Sequence, residues 1–234
     1  MNALRRAKPL LGTLVEIGAA GPQAAEALTA AFNRIAELQA SLSRFDPASE
    51  IARFNALEAG ATIEIGADAC AVLDAARELG EASAGLFDIA AGGRWALDGS
   101  TLRKLAAGTA IDLGGIAKGY AVDAAIAVLR ERGCAAGWVN AGGDLRAFGE
   151  AELALLLRDE TRGGLRAWGR LRDGACATSR YARGSRSTLH GRARLRHLSV
   201  TAPLCLWADA LTKVAAQAPD HPLLAAHGAR AWRH

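Results

Sequence analysis

Asp112-Leu-Gly-Gly-Ile-Ala-Lys-Gly-Tyr-Ala-Val-Asp123 is the densest stretch of this sequence, and its reading decides the fold. The residues Ile111 to Gly115 read as a short apolar strand that meets a Gly-Gly turn. A helix follows from Ile116 to Arg132, stopped by Gly133. Glycine at such a turn lets backbone approach a ligand closely, and the first N–H groups of a helix point toward anions. Lys118 falls in the first turn, where its ammonium reaches toward a phosphate. The Gly-x4-Gly-Lys-Ser/Thr spacing of a P-loop is absent. Two readings stay open: a phosphate site, or a tight strand-to-helix turn with a surface lysine.

Downstream, Gly137 to Phe148 reads as two strands around a second pair, Gly142-Gly143, the usual signature of a hairpin. Glu152–Leu157, Leu165–Leu171 and Leu198–Ala202 are further strand candidates, and a helix fits from about Trp207 to Ala216. Upstream, Leu11 to Ile17 alternates like a strand. Pro22 suits the first turn of a helix that reaches about Leu42, with Ala25, Leu28, Phe32, Ile35 and Leu38 as its apolar stripe. Ser49 is a candidate cap for a short helix ending near Asn55, and a third helix fits Ala67 to Ser83. The stretch from Gly92 to Thr109 is short and turn-rich. Helices and strands mix without a regular βαβ repeat. The expectation is an α+β fold of mixed, largely antiparallel sheets flanked by helices: one domain over residues 1–234, with two lobes meeting near 90–110 as the variant.

A length of 234 residues allows one large domain or two small lobes around a sizeable core. No apolar run is long enough to cross a bilayer, and Pro9-Leu10-Leu11 is too short for a signal-peptide core. The sequence as it stands reads as cytoplasmic, with the periplasm as the alternative if an export leader precedes it. Cys70, Cys134, Cys176 and Cys205 are widely spaced without a CxxC pair, and read as buried or idle thiols. A net charge of +4 and a pI near 9.1 suggest an anionic partner. The excess is concentrated between Arg180 and His197, where Arg183, Arg186, Arg192, Arg194 and Arg196 meet no acid. That run reads either as a solvated hairpin or as a basic rim that gathers a phosphorylated ligand. Nucleic acid is disfavoured, because aromatics are scarce and no recognition motif accompanies the charge.

A third chemical element is Ala208-Asp-Ala-Leu-Thr-Lys213. Asp209 and Thr212 are three residues apart, so on a helix both oxygens face one way. A carboxylate and a hydroxyl together suit a hard cation such as magnesium. An acid near a helix N-terminus also simply complements the macrodipole.

Taken in order, Leu11-Gly-Thr13, Phe45-Asp-Pro-Ala-Ser-Glu50, Gly85-Leu-Phe-Asp88, Asp112 to Asp123, Asn140 to Asp144 and Ala208 to Thr212 resemble the FAD:protein FMN transferase (ApbE) family over nearly the whole chain. The resemblance implies a flavin site between lobes and transfer of FMN from FAD to a Ser/Thr of an acceptor protein bearing a flavinylation motif, with AMP released. It implies that Leu11, Phe45, Leu86, Phe87 and Asp88 contact the flavin or adenosine parts of FAD. Asp112 and Lys118 are implied to lie near its phosphates. A Mg2+ ion is implied on the Gly115 carbonyl, Asp209 and a hydroxyl of the same helix, for which Thr212 is the candidate. The alternative is an FAD-binding or FAD-hydrolysing relative without protein transferase activity.

Two departures bear on chemistry. The family's aspartate helix usually reads Asp-Ala-Leu-Ser/Ala-Thr, with the last threonine on the metal. Here Thr212 precedes Lys213, so the hydroxyl comes one residue early, a turn of about 100° around a helix; either Thr212 still reaches the metal, or Lys213 replaces part of the positive charge. The family's His-His-Ile-Ile-Asp-Pro-x-Thr-Gly stretch is replaced by Ser187 to His197 without Asp-Pro or Thr-Gly. His190 is the nearest equivalent of the family histidine: a base for the acceptor proton, or a loop histidine among arginines.

Overall fold

The computed structural model describes residues 3–159, 162–181 and 197–234. The chain opens with β1 (Leu4–Leu10) and β2 (Thr13–Ala20), a hairpin closed by Leu11-Gly12 with φ of +54° and +67°. Positive φ at both central residues matches the right-handed twist of the flanking strands. The expected strand therefore begins at Thr13, and Leu11 belongs to the turn. β1 escaped the sequence reading because it is an edge strand, exposed along nearly all its length, with Pro9 where no ladder bond is needed.

The helix α1 (Ala24–Leu42) buries Ala24, Ala27, Leu28, Phe32, Ile35 and Leu38. Ala25 faces outward and Pro22 lies before the helix, since Gln23 is its N-cap. Next, α2 (Glu50–Asn55) is capped as expected: the Ser49 hydroxyl accepts from Ala52 N at 3.0 Å. β3 (Thr62–Glu64) and α3 (Ala67–Ala82) follow. The turn-rich stretch after Gly92 holds a small hairpin, β4 (Trp95–Asp98) and β5 (Thr101–Lys104), which joins β3 in a three-stranded antiparallel sheet. Each of these strands has a single buried apolar residue (Ile63, Leu97 or Leu102), too little for an alternation to register.

After α4 (Ala117–Glu131), β6 (Ala136–Ala141) and β7 (Asp144–Arg158) form a hairpin around Gly142-Gly143. β7 pairs on with β8 (Leu165–Arg180). The apparent break before Glu152 is a bulge that includes Gly149, at φ +64°, rather than an end of the strand. β9 (His197–Ala202), α5 (Cys205–Gln217), α6 (Pro222–Ala226) and β10 (Arg230–Arg233) complete the chain. The large sheet has the order β1-β2-β6-β7-β8-β9-β10 and is antiparallel throughout. The fold is α+β. α1 packs on β1 and β2, α4 on β6 and β7, and α5 on β8 and β9, with α4 held between the other two. One continuous core joins residues of both sheets, from Val15 and Val200 to Leu97 and Leu102. No described helix is long and apolar enough to cross a membrane. All four cysteines are free, and burial pushes each thiol above its ordinary range, Cys176 to about 12.

The seam between α4 and α5 positions the site. Gly119 lies against the Cys205 carbonyl so closely that an added Cβ would come within 2.3 Å of that oxygen. Asp123, which ends the quoted stretch, accepts from Cys205 N (3.0 Å) and Leu206 N (2.8 Å), and so caps α5 from the neighbouring helix. Arg146 holds it at 2.7 Å. Its carboxyl is pushed upward by burial, against the pull of those donors.

Candidate active site

The segment before α4 is not a strand. Ile111 exchanges hydrogen bonds with the Asn55 amide instead, accepting from Nδ2 at 2.9 Å and donating to Oδ1 at 2.7 Å, and Asp112 N donates to Ile89 O at 2.8 Å. A side-chain amide from α2 thus replaces a ladder. Asn55 is held in turn by Lys104, a buried lysine whose ammonium donates to the carbonyls of Asn55 and Leu57, both at 2.8 Å. The small hairpin therefore sets where Asp112 stands.

Asp112 bends back to accept from Gly114 N at 2.9 Å and pairs with Arg44 at 3.0 Å. It lines a cleft of about 360 Å³ between the β1–β2 turn, the end of α1 and the start of α4. Leu11, Leu38, Leu42, Leu113 and Ala117 give this cleft apolar walls, and Arg44, Phe45, Asp112 and Lys118 give it a charged and aromatic rim. Leu11 holds its left-handed φ with its N–H bonded to Gln39 Oε1, and for a leucine that conformation is strained. Phe45 is 82 % exposed with the Arg44 guanidinium 4.7 Å from its ring centre. These two residues also line a second cleft of about 500 Å³, with Pro47, Arg53, Leu57 and Ile63 among others.

Four of the anticipated residues, Leu11, Phe45, Asp112 and Lys118, thus share one cleft. Leu86, Phe87 and Asp88 line neither cleft. Phe87 is buried, the Leu86 carbonyl accepts from Gln217 at 2.7 Å, and Asp88 accepts from Ala90 N (2.7 Å) and Gly92 N (2.6 Å) to shape its own loop. His190 lies outside the described residues, as does most of the arginine run.

Behind the cleft, Lys118 pairs with Asp144 and lies 3.8 Å from Asp209 Oδ2. Asp209 is closed from solvent and accepts from Gly119 N at 3.3 Å. Lys213 Nζ sits 2.6 Å from Asp209 Oδ1, 3.0 Å from the Asp209 carbonyl and 3.4 Å from Ser179 Oγ. Burial pushes the Asp209 carboxyl up, but Lys118 and Lys213 outweigh it and hold the group below the usual carboxylate range. The Thr212 hydroxyl is engaged with the Asp209 carbonyl and Ser179 Oγ, each at 2.7 Å. The Tyr181 hydroxyl, raised by burial, donates to Thr212 O at 2.8 Å. Asp144 and Ser179 are the members of this cluster without a role in the sequence reading. Lys213, the alternative to Thr212 in that reading, stands over Asp209 because i,i+4 spacing on one helix brings an ammonium over a carboxylate.

These residues do not fit a magnesium ion. Mg2+ requires close to octahedral oxygen ligands at ~2.0–2.1 Å. Lys213 instead covers Asp209, and its chain lies over Gly115, where an added Cβ would meet Lys213 Cε at 2.9 Å. Unit charges 4 Å apart interact by about 4 kcal/mol at an effective dielectric of ~20, and a doubly charged ion beside that ammonium doubles the repulsion. Among the described residues, no three His, Cys, Asp or Glu side chains cluster as a metal site.

The profile of the ApbE family matches residues 11–104 and 93–226. A search of curated proteins found no match. Among solved structures, the flavin transferase ApbE of Vibrio cholerae superposes with a TM-score of 0.83 at 18 % identity, covering 99 % of this chain and 93 % of that one. The flavinyl transferase ApbE of Pseudomonas stutzeri, in its apo form, gives 0.80 at 22 % identity, with 99 % and 90 % covered. The ApbE protein of Thermotoga maritima gives 0.83 at 22 % identity, with 99 % and 94 % covered. At these identities the superpositions establish the fold.

Proposed function

The chain belongs to the ApbE family, and from that membership we propose that it is a flavin transferase that moves FMN from FAD onto a Ser or Thr hydroxyl of an acceptor protein. The observation that carries the reading is the cleft that gathers Leu11, Phe45, Asp112 and Lys118 from three separate parts of the chain. Its apolar walls and exposed aromatic suit a flat ring system. Lys118, at the start of α4, offers an ammonium beside the positive end of a helix, the arrangement that favours phosphate. The second cleft shares Arg44 and Phe45 with the first, which suits a ligand with a ring system at each end of a diphosphate. The Vibrio and Pseudomonas proteins, a flavin transferase and a flavinyl transferase, point the same way.

In this reading the acceptor oxygen attacks the phosphorus that is esterified to riboflavin. The bond from that phosphorus to the bridging oxygen breaks, and AMP leaves with the bond's electron pair while the hydroxyl proton passes to solvent. The chain's own contribution is alignment and charge: Lys118 faces the diphosphate, and the cleft walls fix the flavin end.

The test is incubation with FAD, with and without an acceptor protein carrying a Ser/Thr flavinylation motif. Acceptor-dependent AMP and a fluorescent acceptor band are expected. AMP and free FMN with an unlabelled acceptor would instead identify an FAD-hydrolysing relative, and intact bound FAD a flavin-binding one.

A further inference from the structure

Lys213 occupies the space in which the family resemblance implies a divalent ion. Its chain crosses Gly115, and its ammonium meets both the carboxylate and the backbone carbonyl of Asp209. Helix geometry makes this placement a direct result of sequence, since residues four apart on α5 stand one above the other. The Lys213 side chain is 18 % exposed, whereas Asp209 and Thr212 are 1 % and 0 % exposed. Of these three it is the one a ligand can reach. The Asp209 Oδ2 oxygen has its own donors, Gly119 N and, farther off, Lys118, so neither carboxylate oxygen is left without a positive or N–H neighbour.

Building on the flavin-transfer reading, we propose that the Lys213 ammonium is the resident cation of this site, standing in for a divalent metal beside the FAD diphosphate and making transfer independent of metal. The step balances without an ion. The acceptor hydroxyl oxygen forms the new bond to the FMN-side phosphorus, the phosphorus–oxygen bond to AMP breaks, AMP takes the electron pair, and the proton goes to solvent. Lys213 neutralises Asp209 and donates to a diphosphate oxygen in place of its long bond to Ser179 Oγ, while Lys118 approaches from the start of α4. A lysine does this as a fixed point charge on a flexible stem. It delivers one positive charge where a divalent ion would deliver two.

The experiment has two independent readouts. First, Mn2+ is titrated into the flavin-free protein and free Mn2+ is followed by electron paramagnetic resonance. Wild type is expected to take up none, and Lys213→Thr, which removes the ammonium and offers a hydroxyl at the same position, to take up a single ion that Asp209→Asn in that background abolishes. Second, acceptor labelling is compared in EDTA and in Mg2+. Wild-type rates are expected to agree within about twofold, and Lys213→Thr to fall at least about tenfold in EDTA, roughly 1.4 kcal/mol of barrier. Asp209-dependent Mn2+ uptake by wild type, or wild-type labelling abolished by EDTA, overturns the proposal. Absence of labelled acceptor and AMP from wild type in every buffer overturns the transferase reading instead, and the Mn2+ titration still decides about Lys213.

Discussion

Gly142-Gly143 turns its hairpin with φ of +65° and +102°, whereas neither Gly114 nor Gly115 stands in the left-handed region. The first pair is glycine because of backbone conformation: the β6–β7 turn needs positive φ, and a Cβ on Gly142 would come within 2.3 Å of Thr13 Oγ1. The second pair is glycine because of what lies beside it, the Asp112 carboxylate at 3.0 Å from a Cβ on Gly114 and Lys213 at 2.9 Å from one on Gly115. Both pairs serve the same ion cluster. Gly143 leads directly into Asp144, the partner of Lys118, and Gly115 leaves room for Lys213, the partner of Asp209. Identical dipeptides thus answer to different constraints, one intrinsic to the chain and one imposed by a neighbouring side chain.

The comparison predicts where substitutions are felt. The largest effect is expected at the cluster itself: Asp209→Asn should cost about 3 kcal/mol, because it leaves the Lys213 ammonium without its buried counter-charge while Lys118 keeps Asp144, and should abolish acceptor labelling. Urea titration and the labelling assay check both parts. Gly142→Ala should cost about 2–4 kcal/mol, combining a left-handed alanine with a clash against β2. A shift of the urea midpoint at constant slope is the expected signature. Gly115→Ala should cost under about 1 kcal/mol, since the end of a flexible lysine can move aside, yet slow labelling about tenfold by displacing that lysine. If Gly115→Ala proves more destabilising than Gly142→Ala, the contrast between the two pairs fails. The smallest stability change is expected for Phe45→Ala, within about 0.5 kcal/mol for so exposed a residue. Fluorescence titration should nevertheless show weaker FAD binding, and unchanged affinity would remove Phe45 from the site.

A long amphipathic helix, a capped short one and a glycine-turned hairpin were legible in the sequence: α1 from its stripe, α2 from Ser49, and β6–β7 from Gly142-Gly143. β3, β4, β5 and β10 were not, because strands of three or four residues bury too few side chains for a period to show. The extended run at Ile111 was read as a strand, because nothing local reveals that its partner is an amide in α2, more than fifty residues earlier. The resemblance drew Leu11, Phe45, Leu86, Phe87, Asp88, Asp112 and Lys118 into one group, of which Leu11, Phe45, Asp112 and Lys118 share one cleft. It included Asp144 in a matching piece without a role and left out Ser179; both reach the cluster through sheet pairing. Asp123 belongs to the quoted stretch, and its work as the cap of α5 appears only once α4 and α5 are seen side by side.

The large sheet is open, and β1 leaves a row of backbone donors and acceptors unpaired among the described residues. An exposed flat edge is a template on which further chains can stack into aggregates. On β1, Arg5, Arg6 and Lys8 place positive charges along that edge, and Pro9 removes one of its donors. A second copy approaching edge to edge would meet like charge and a gap in the ladder. A strand with no buried residue is in this sense a guard for its edge of the sheet, keeping a β-rich enzyme from polymerising through that hydrogen-bonding surface.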